Sequence, residues 1–365
     1  MAISSSTWSP DWAVAPGEIL QEALDERGMS QSELARRMDR PVKTINEIVN
    51  AKAAITPDTA LQLELTLGIS ASFWNGAEAN YREQLARARA KDQLARYTEW
   101  ADAFPIKALA DRGLVDPGSS KIDAVASLLS FFQVTTPRAW ETQWLAPSAS
   151  FRQSPAFAAS PHAVAAWLRC GELLAAEIDT AKFDRAEFER VVAEARALTR
   201  REPFSIVVER LRKRCAEAGV ALVLIPELPK TRLSGAARWQ AQNKAILQLS
   251  LRHKSDDHFW FSFFHECAHI LSPRRRDYVD IDDDALEADD DELNADRFAR
   301  DTLISPQAFS HFVQTGRLEA EHVRSFARDQ HIAPGIVVGR LQRDKLIPYS
   351  KLNNLKKSID WAGLA

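Results

Sequence analysis

Residues 256–272, DDHFWFSFFHECAHILS, impose more on the fold than any other part of this chain. At 3.6 residues per turn the run makes about four to five helical turns. Its middle, FWFSFF, is almost wholly apolar, so other elements must cover the helix around most of its circumference. Such a helix carries His265, Glu266 and His269 into the interior. Burying an ionisable trio is costly unless its members are paired or bind an ion.

Residues four apart on a helix lie about 40° apart around its axis, so His265 and His269 project from one face and can share a metal. This is the HExxH spacing, with Glu266 beside the open coordination position as general base. A catalytic zinc takes three protein ligands and a water. The expected cofactor is therefore Zn2+, with a third ligand on a later element. Glu292 and Asp296 stand one helical turn apart in ELNADRFA; Glu292 is the preferred ligand, and Asp296 the carboxylate that orients a ligand histidine. Cys267 points roughly 160° away from His265 and reads as packing. The apolar run AILQLSL just upstream is a candidate sheet edge for an extended peptide, or else a core strand. His253, His258, Tyr278 and Arg238 are unranked candidates for stabilising an oxyanion.

From Pro16 to about Tyr81 the chain reads as short helices opened by Pro16, Ser30, Pro41, Thr56 and Ser70. Ser30 and Glu33 have capping-box spacing. In PVKTINEIVNAK, Ile45, Ile48 and Val49 face a core, leaving Lys43, Thr44, Asn46, Glu47 and Asn50 outward and Lys52 near phosphates. That is the pattern of a helix that enters the DNA major groove, with Gln31 and Ser32 of the preceding helix placed to clamp the backbone. Asn46 or Asn50 would read adenine, and Lys43 guanine or a phosphate.

The remainder is less specific. Between Arg82 and Arg200 the chain is rich in Ala, Leu, Arg and Glu, with breaks at DPGSS and from Ala146 to Pro161, and reads as a helical connection. Past Pro203 a helix and three short strands precede the histidine helix, and the acidic run from Asp280 to Glu292 reads as a solvated loop. The pair EHVRSFARDQ and GIVVGRLQRD reads as scaffold. A formal net charge of -3 gives no general attraction to nucleic acid, so DNA binding rests on a local surface. Three dispersed cysteines, no leader-like N-terminus and no long apolar span suit a cytoplasmic protein without a membrane partner.

Three segments, LSLRHKSDDHFWFSFFHECAHIL, ELNADRFARDTLISP and IAPGIVVGRLQRDKLIPYS, resemble the ImmA/IrrE family of zinc metallopeptidases. Its E-x-x-A-[ND]-x-F-A pattern matches Glu292, Ala295, Asp296, Phe298 and Ala299, and carries the third-ligand role to Glu292. Many members have Gly where this chain has Ala268. The resemblance implies limited proteolysis of a specific regulatory protein. The segment from Pro16 to Trp74 resembles the HigA antitoxin branch of the XRE regulators, which implies a homodimer on palindromic operator DNA.

The expected architecture is mainly α with a small β-sheet. A five-helix helix-turn-helix domain spans 1–85, a helical connecting region 86–200, and an α+β zincin-like metallopeptidase domain 201–365. The expected function is a transcriptional regulator fused to a zinc endopeptidase acting on a repressor or toxin-antitoxin partner. The alternative is a HigA-type repressor whose C-terminal domain only binds metal or a toxin.

Overall fold

Ser30, Thr56 and Ser70 each accept a hydrogen bond from the backbone N–H three residues on, and each opens a helix at the expected place. The computed structural model describes residues 14–145, 160–200, 203–241, 243–250, 252–281 and 290–360. The chain divides into two compact units, one ending at Thr98 and one starting at Glu99.

In the first unit, α1 (Pro16–Glu26), α2 (Gln31–Arg37), α3 (Val42–Val49), α4 (Pro57–Leu67) and α5 (Ala71–Leu94) follow one another. Leu20, Leu24, Leu34, Ile45, Leu63 and Trp74 are fully buried among them. Gly68, in the left-handed region at φ 73°, ends α4. Gly17 lets α1 press onto the end of α3, where a methyl group would lie 2.1 Å from the Ile48 carbonyl oxygen and 2.5 Å from that of Val49. Backbone cannot yield as a side chain can, so we expect Gly17→Ala to destabilise this unit by about 1–3 kcal/mol. Amide hydrogen exchange of α1 and α3 in the full chain should accelerate accordingly, and unchanged exchange would refute the contact.

The second unit contains short helices α6 (Thr98–Asp102) and α7 (Ile106–Ala110), then α8 (Lys121–Phe132) and α9 (Pro137–Trp140). Beyond them lie α10 (Pro161–Ala176), α11 (Arg185–Leu198) and α12 (Phe204–Glu217). The sheet comprises β1 (Val220–Leu224), β2 (Leu233–Ala241), β3 (Lys244–Leu249) and β4 (Tyr278–Ile281) in the order β1-β3-β2-β4. β1 runs parallel to β3, while β2 is antiparallel to both its neighbours. The histidine helix α13 (Asp256–Leu271) precedes β4, and α14 (Asp290–Leu303), α15 (Pro306–Gln314), α16 (Ala320–Asp329) and α17 (Pro334–Arg343) complete the unit.

Side chains alternate across the strands, and both faces of β1 and β3 are covered. Leu222, Leu247 and Leu249 join Phe259, Phe263 and Phe264 of α13 in one core. On the other face Gln248 donates to the Trp167 carbonyl of α10 at 2.8 Å, and the Trp167 indole donates to the Ile225 carbonyl at 3.2 Å. This sandwich explains why β1 and β3 read as near-continuous apolar runs.

Three expectations differ from the structure. The segment expected as a connecting region over 86–200 contributes Phe188, Val191 and Val192 to the core shared by the sheet and α13, so contacts do not separate it at 200. Of the two readings of AILQLSL, the core strand holds and the sheet edge does not: Ala245–Leu249 lie in the interior strand β3, flanked by β1 and β2, and among the described residues the edges are β1 and β4. The acidic run is not one loop: Asp280 lies in β4 and Asp290–Glu292 begin α14, while residues 282–289 lie outside the described residues. Among the described residues no helix is long and apolar enough to cross a membrane.

Candidate metal centre and nucleic-acid interface

The apolar positions of α13 set its rotation. Phe263, Phe264, Cys267 and Ile270 are buried in the core, which leaves His265, Glu266 and His269 toward β2, β4 and α14. Cys267 is thus a packing residue. α14 packs against α13 and presents Glu292 and Asp296 one turn apart. His265 Nε2 lies 3.0 Å from Glu292 Oε2 and 3.1 Å from His269 Nε2, and His269 Nε2 lies 3.4 Å from Glu292 Oε1. Bonds of about 2.0–2.1 Å to a tetrahedral zinc place ligand atoms about 3.3 Å apart. The three donors therefore form a face of the right size for that ion.

Asp296 does a different job. Its Oδ1 lies 3.1 Å from His265 Nδ1, and its Oδ2 accepts from Arg343 Nη2 at 3.2 Å. A proton on Nδ1 held this way leaves the Nε2 lone pair facing His269 and Glu292. Burial works against the protonated His265 ring, but hydrogen bonds with Asp296 and Glu292 outweigh it and hold its pKa well above the ordinary value. Burial likewise raises Glu292, and its hydrogen bonds with His265 and His269 more than reverse this, so its carboxyl stays ionised far into acid. A metal would replace the proton that these groups share.

Glu266 is fully buried, and neither carboxylate oxygen has a hydrogen-bond partner among the described residues. Burial pushes its pKa well up; the His265 charge lowers it and Asp280 raises it again. Its side chain lies against Gly235 of β2, where an added methyl would be 2.3 Å from Oε1. Tyr278 of β4 stacks on the His269 ring with centroids 4.0 Å apart, and its hydroxyl donates to Asp291 at 3.1 Å. A cleft lined by Ala268, His269, Ser272, Asp291, Asn294 and Phe298 opens beside these groups.

Of the four oxyanion candidates, Tyr278 stacks on a member of the trio, His269. Arg238 is held by Glu172 at 2.8 Å and Asp277 at 3.3 Å. His253 and His258 stack on each other, and His258 is seven residues before His265, about 10 Å along the helix axis. Gly235, Asp280 and Arg343 carry no local sequence signal, because each reaches the site from another element.

In the first unit, α3 buries Ile45 and Ile48, while Val49 packs at the margin. Lys43, Asn46, Asn50 and Lys52 are exposed, and Thr44 and Glu47 half-buried. Asn46 Nδ2 donates to Gln31 Oε1 at 3.2 Å, and Gln31 Nε2 to Gln21 Oε1 at 2.8 Å, which ties the exposed face of α3 to the start of α2 beside Ser32. Lys43 lies 3.8 Å from Glu47, and Asn50 Nδ2 donates to the Asn46 carbonyl at 2.8 Å.

A helix-turn-helix family profile matches residues 20–74. Over 59 residues the chain is 41% identical to an uncharacterized HTH-type transcriptional regulator, YddM, of Escherichia coli (strain K12), covering 16% of this chain and 63% of that protein. It is 39% identical over 75 residues to virulence-associated protein I of Dichelobacter nodosus, covering 20% of this chain and 69% of that protein. The chain belongs to the XRE helix-turn-helix family through its N-terminal unit. It spans less than two thirds of the length of YddM. The structure of the Pseudomonas aeruginosa antitoxin HigA with its higBA promoter aligns with 34% identity and a TM-score of 0.22, covering 22% of this chain and 90% of that one. Within the XRE unit, α2 and α3 both lie inside the matched residues 20–74.

Proposed function

We propose that this XRE-family regulator is also a zinc-dependent endopeptidase that cuts a specific regulatory protein, a repressor or a toxin-antitoxin partner. The observation that carries this reading is the convergence of His265 Nε2, His269 Nε2 and the Glu292 carboxylate at 3.0–3.4 Å next to a buried, unpartnered Glu266. A bound zinc would lower the pKa of a water molecule and polarise a scissile carbonyl. Glu266 would accept a proton from that water on a carboxylate whose proton affinity burial has raised, and would return it to the leaving amine. Asp296 fixes the His265 ring, and Tyr278 backs the His269 ring. An extended peptide added to the edge strand β4 would run beside Tyr278 and Asp280 and reach the trio.

The test uses the purified full chain. We expect about one zinc per chain by elemental analysis, and a shortened product, identified by mass spectrometry, when the chain meets the regulator or toxin encoded beside it. Chelation should remove both. Absence of zinc would overturn the proposal; zinc without any product would favour the repressor that only binds metal or a toxin.

At the other end, we propose that the XRE unit acts as a homodimer on a palindromic operator, and that Asn46 reads an adenine while Lys43 meets a phosphate. Asn46→Ala should lower discrimination at one base pair by about 1–3 kcal/mol. Lys43→Ala should weaken binding to all sequences and reduce the salt slope by about one. Fluorescence anisotropy on operator and scrambled duplexes checks both, and unchanged affinities would remove α3 from the interface.

A further inference from the structure

In the XRE unit, Asp25, Gln21, Gln31 and Asn46 form a chain of hydrogen bonds that ends on the exposed side of α3. Leu20 and Leu24 are fully buried, so the residues that follow them, Gln21 and Asp25, lie on one side of α1 a turn apart. Gln21 Nε2 donates to Asp25 Oδ1 at 2.7 Å, Gln31 Nε2 to Gln21 Oε1 at 2.8 Å, and Asn46 Nδ2 to Gln31 Oε1 at 3.2 Å. The chain thus runs from α1 through the first residue of α2 to α3.

Its direction is set at the α1 end. A side-chain amide can turn over and exchange its NH2 group for its oxygen, but a carboxylate only accepts. Asp25 therefore takes an N–H of Gln21, and the Gln21 oxygen faces Gln31. Gln31 must donate to that oxygen, so its own oxygen faces Asn46, and Asn46 must offer its NH2 group. Turning over any one of the three amides would set like groups against each other and lose a hydrogen bond. Asn46 is exposed, and its Oδ1 makes no hydrogen bond among the described residues. Its Nδ2 keeps one N–H beyond the one given to Gln31.

We propose that Asp25, Gln21 and Gln31 are positioning residues that fix the polarity of the Asn46 amide, so that Asn46 accepts adenine and rejects guanine. This rests on the reading of α3 as the helix that meets base edges. In the major groove adenine presents the N6 amine beside N7 and cytosine the N4 amine, whereas guanine presents O6 beside N7 and thymine O4. An Asn46 oxygen turned to the bases accepts from either amine, and the remaining N–H reaches adenine N7. Adenine gains two bonds and cytosine one. Against guanine O6 or thymine O4 the same oxygen faces another acceptor. An unrestrained asparagine would turn over and donate to guanine, and the chain from Asp25 prevents that, so specificity comes from a partner excluded as well as one bound.

The test lets the full chain select duplexes from a randomised pool; the base pair that Asn46 reads is the one whose preference disappears in Asn46→Ala. Fluorescence anisotropy on four duplexes that differ only there gives the adenine-to-guanine ratio of each variant. Wild type should favour adenine about tenfold or more. Gln31→Lys can only donate, so it should turn Asn46 over and bring the ratio to about one or below; its added charge strengthens all four duplexes alike and cancels. Gln31→Glu can only accept, so it should keep the preference for adenine while binding every duplex more weakly. Asp25→Asn can donate as well as accept and should lower the ratio severalfold, with preferences at other base pairs unchanged. A merely structural role would weaken binding without exchanging one base for another, and circular dichroism checks that the variants fold. A wild-type preference for guanine, a ratio unchanged in Gln31→Lys or Asp25→Asn, or a ratio lost in folded Gln31→Glu would each overturn the proposal while leaving α3 as the reading helix. No selected sequence, or a selection indifferent to Asn46→Ala, would overturn that reading and the proposal with it.

Discussion

On the proposed zinc-peptidase reading, Glu266→Gln is expected to retain zinc and to cut the substrate about 10²–10⁴-fold more slowly than wild type. The substitution preserves shape and removes the group that accepts and returns a proton. It leaves the three converging donors, His265, His269 and Glu292, in place, so metal content should stay near one per chain. Folding should not suffer either. A carboxylate buried with no hydrogen-bond partner is more costly than a neutral amide in the same place, so the variant should unfold at an equal or higher temperature. Zinc analysis, product formation over time and thermal unfolding on one preparation separate these effects. Equal cleavage rates would remove Glu266 from the chemistry, whereas loss of zinc would show that it helps hold the metal.

Gly235→Ala should come close to the same loss by a different route. The added methyl would sit 2.3 Å from Glu266 Oε1, 2.8 Å from Cγ and 2.9 Å from Cδ. A long side chain usually swings away from such a clash, but Glu266 is fully enclosed. Strand β2 cannot retreat either, because Gly235 is paired with Leu249 on one side and Asp280 on the other. The carboxylate is therefore displaced from its place beside the histidines. We expect a loss of about 10²-fold or more with zinc retained, since a small misplacement of a catalytic group is amplified in rate. The double variant Gly235→Ala with Glu266→Gln should be no slower than Glu266→Gln alone, because both remove one function. Additive losses would show that Gly235 acts on something other than Glu266.

Much of this molecule is written locally. The caps Ser30, Thr56 and Ser70 act within one turn, so the helix starts of the XRE unit could be read one by one. The outward set on α3 follows from burying Ile45 and Ile48 at helical spacing. His265 and His269 share a face because they lie four apart on one helix, and Glu292 and Asp296 because they share another. Periodicity does not say what a face packs on. Helices α10 and α11 therefore looked like a connector, although Trp167 bonds the sheet and Phe188 lies in its core. Sheet order is equally silent in the sequence, since the run AILQLSL suits an interior and an edge strand alike until β1 and β2 are seen on either side of it.

The sequence by itself determined which residues are the candidates for chemistry: the buried HECAH helix, the later carboxylates and the polar face of α3. Spacing along a helix is a short-range property that backbone geometry fixes. Only the tertiary structure decided how those residues meet. It set Glu292 against both histidines and Asp296 against one, put Gly235 under Glu266, and stacked Tyr278 on His269. Each of those contacts joins separate elements through packing of the whole core, and no local pattern encodes it.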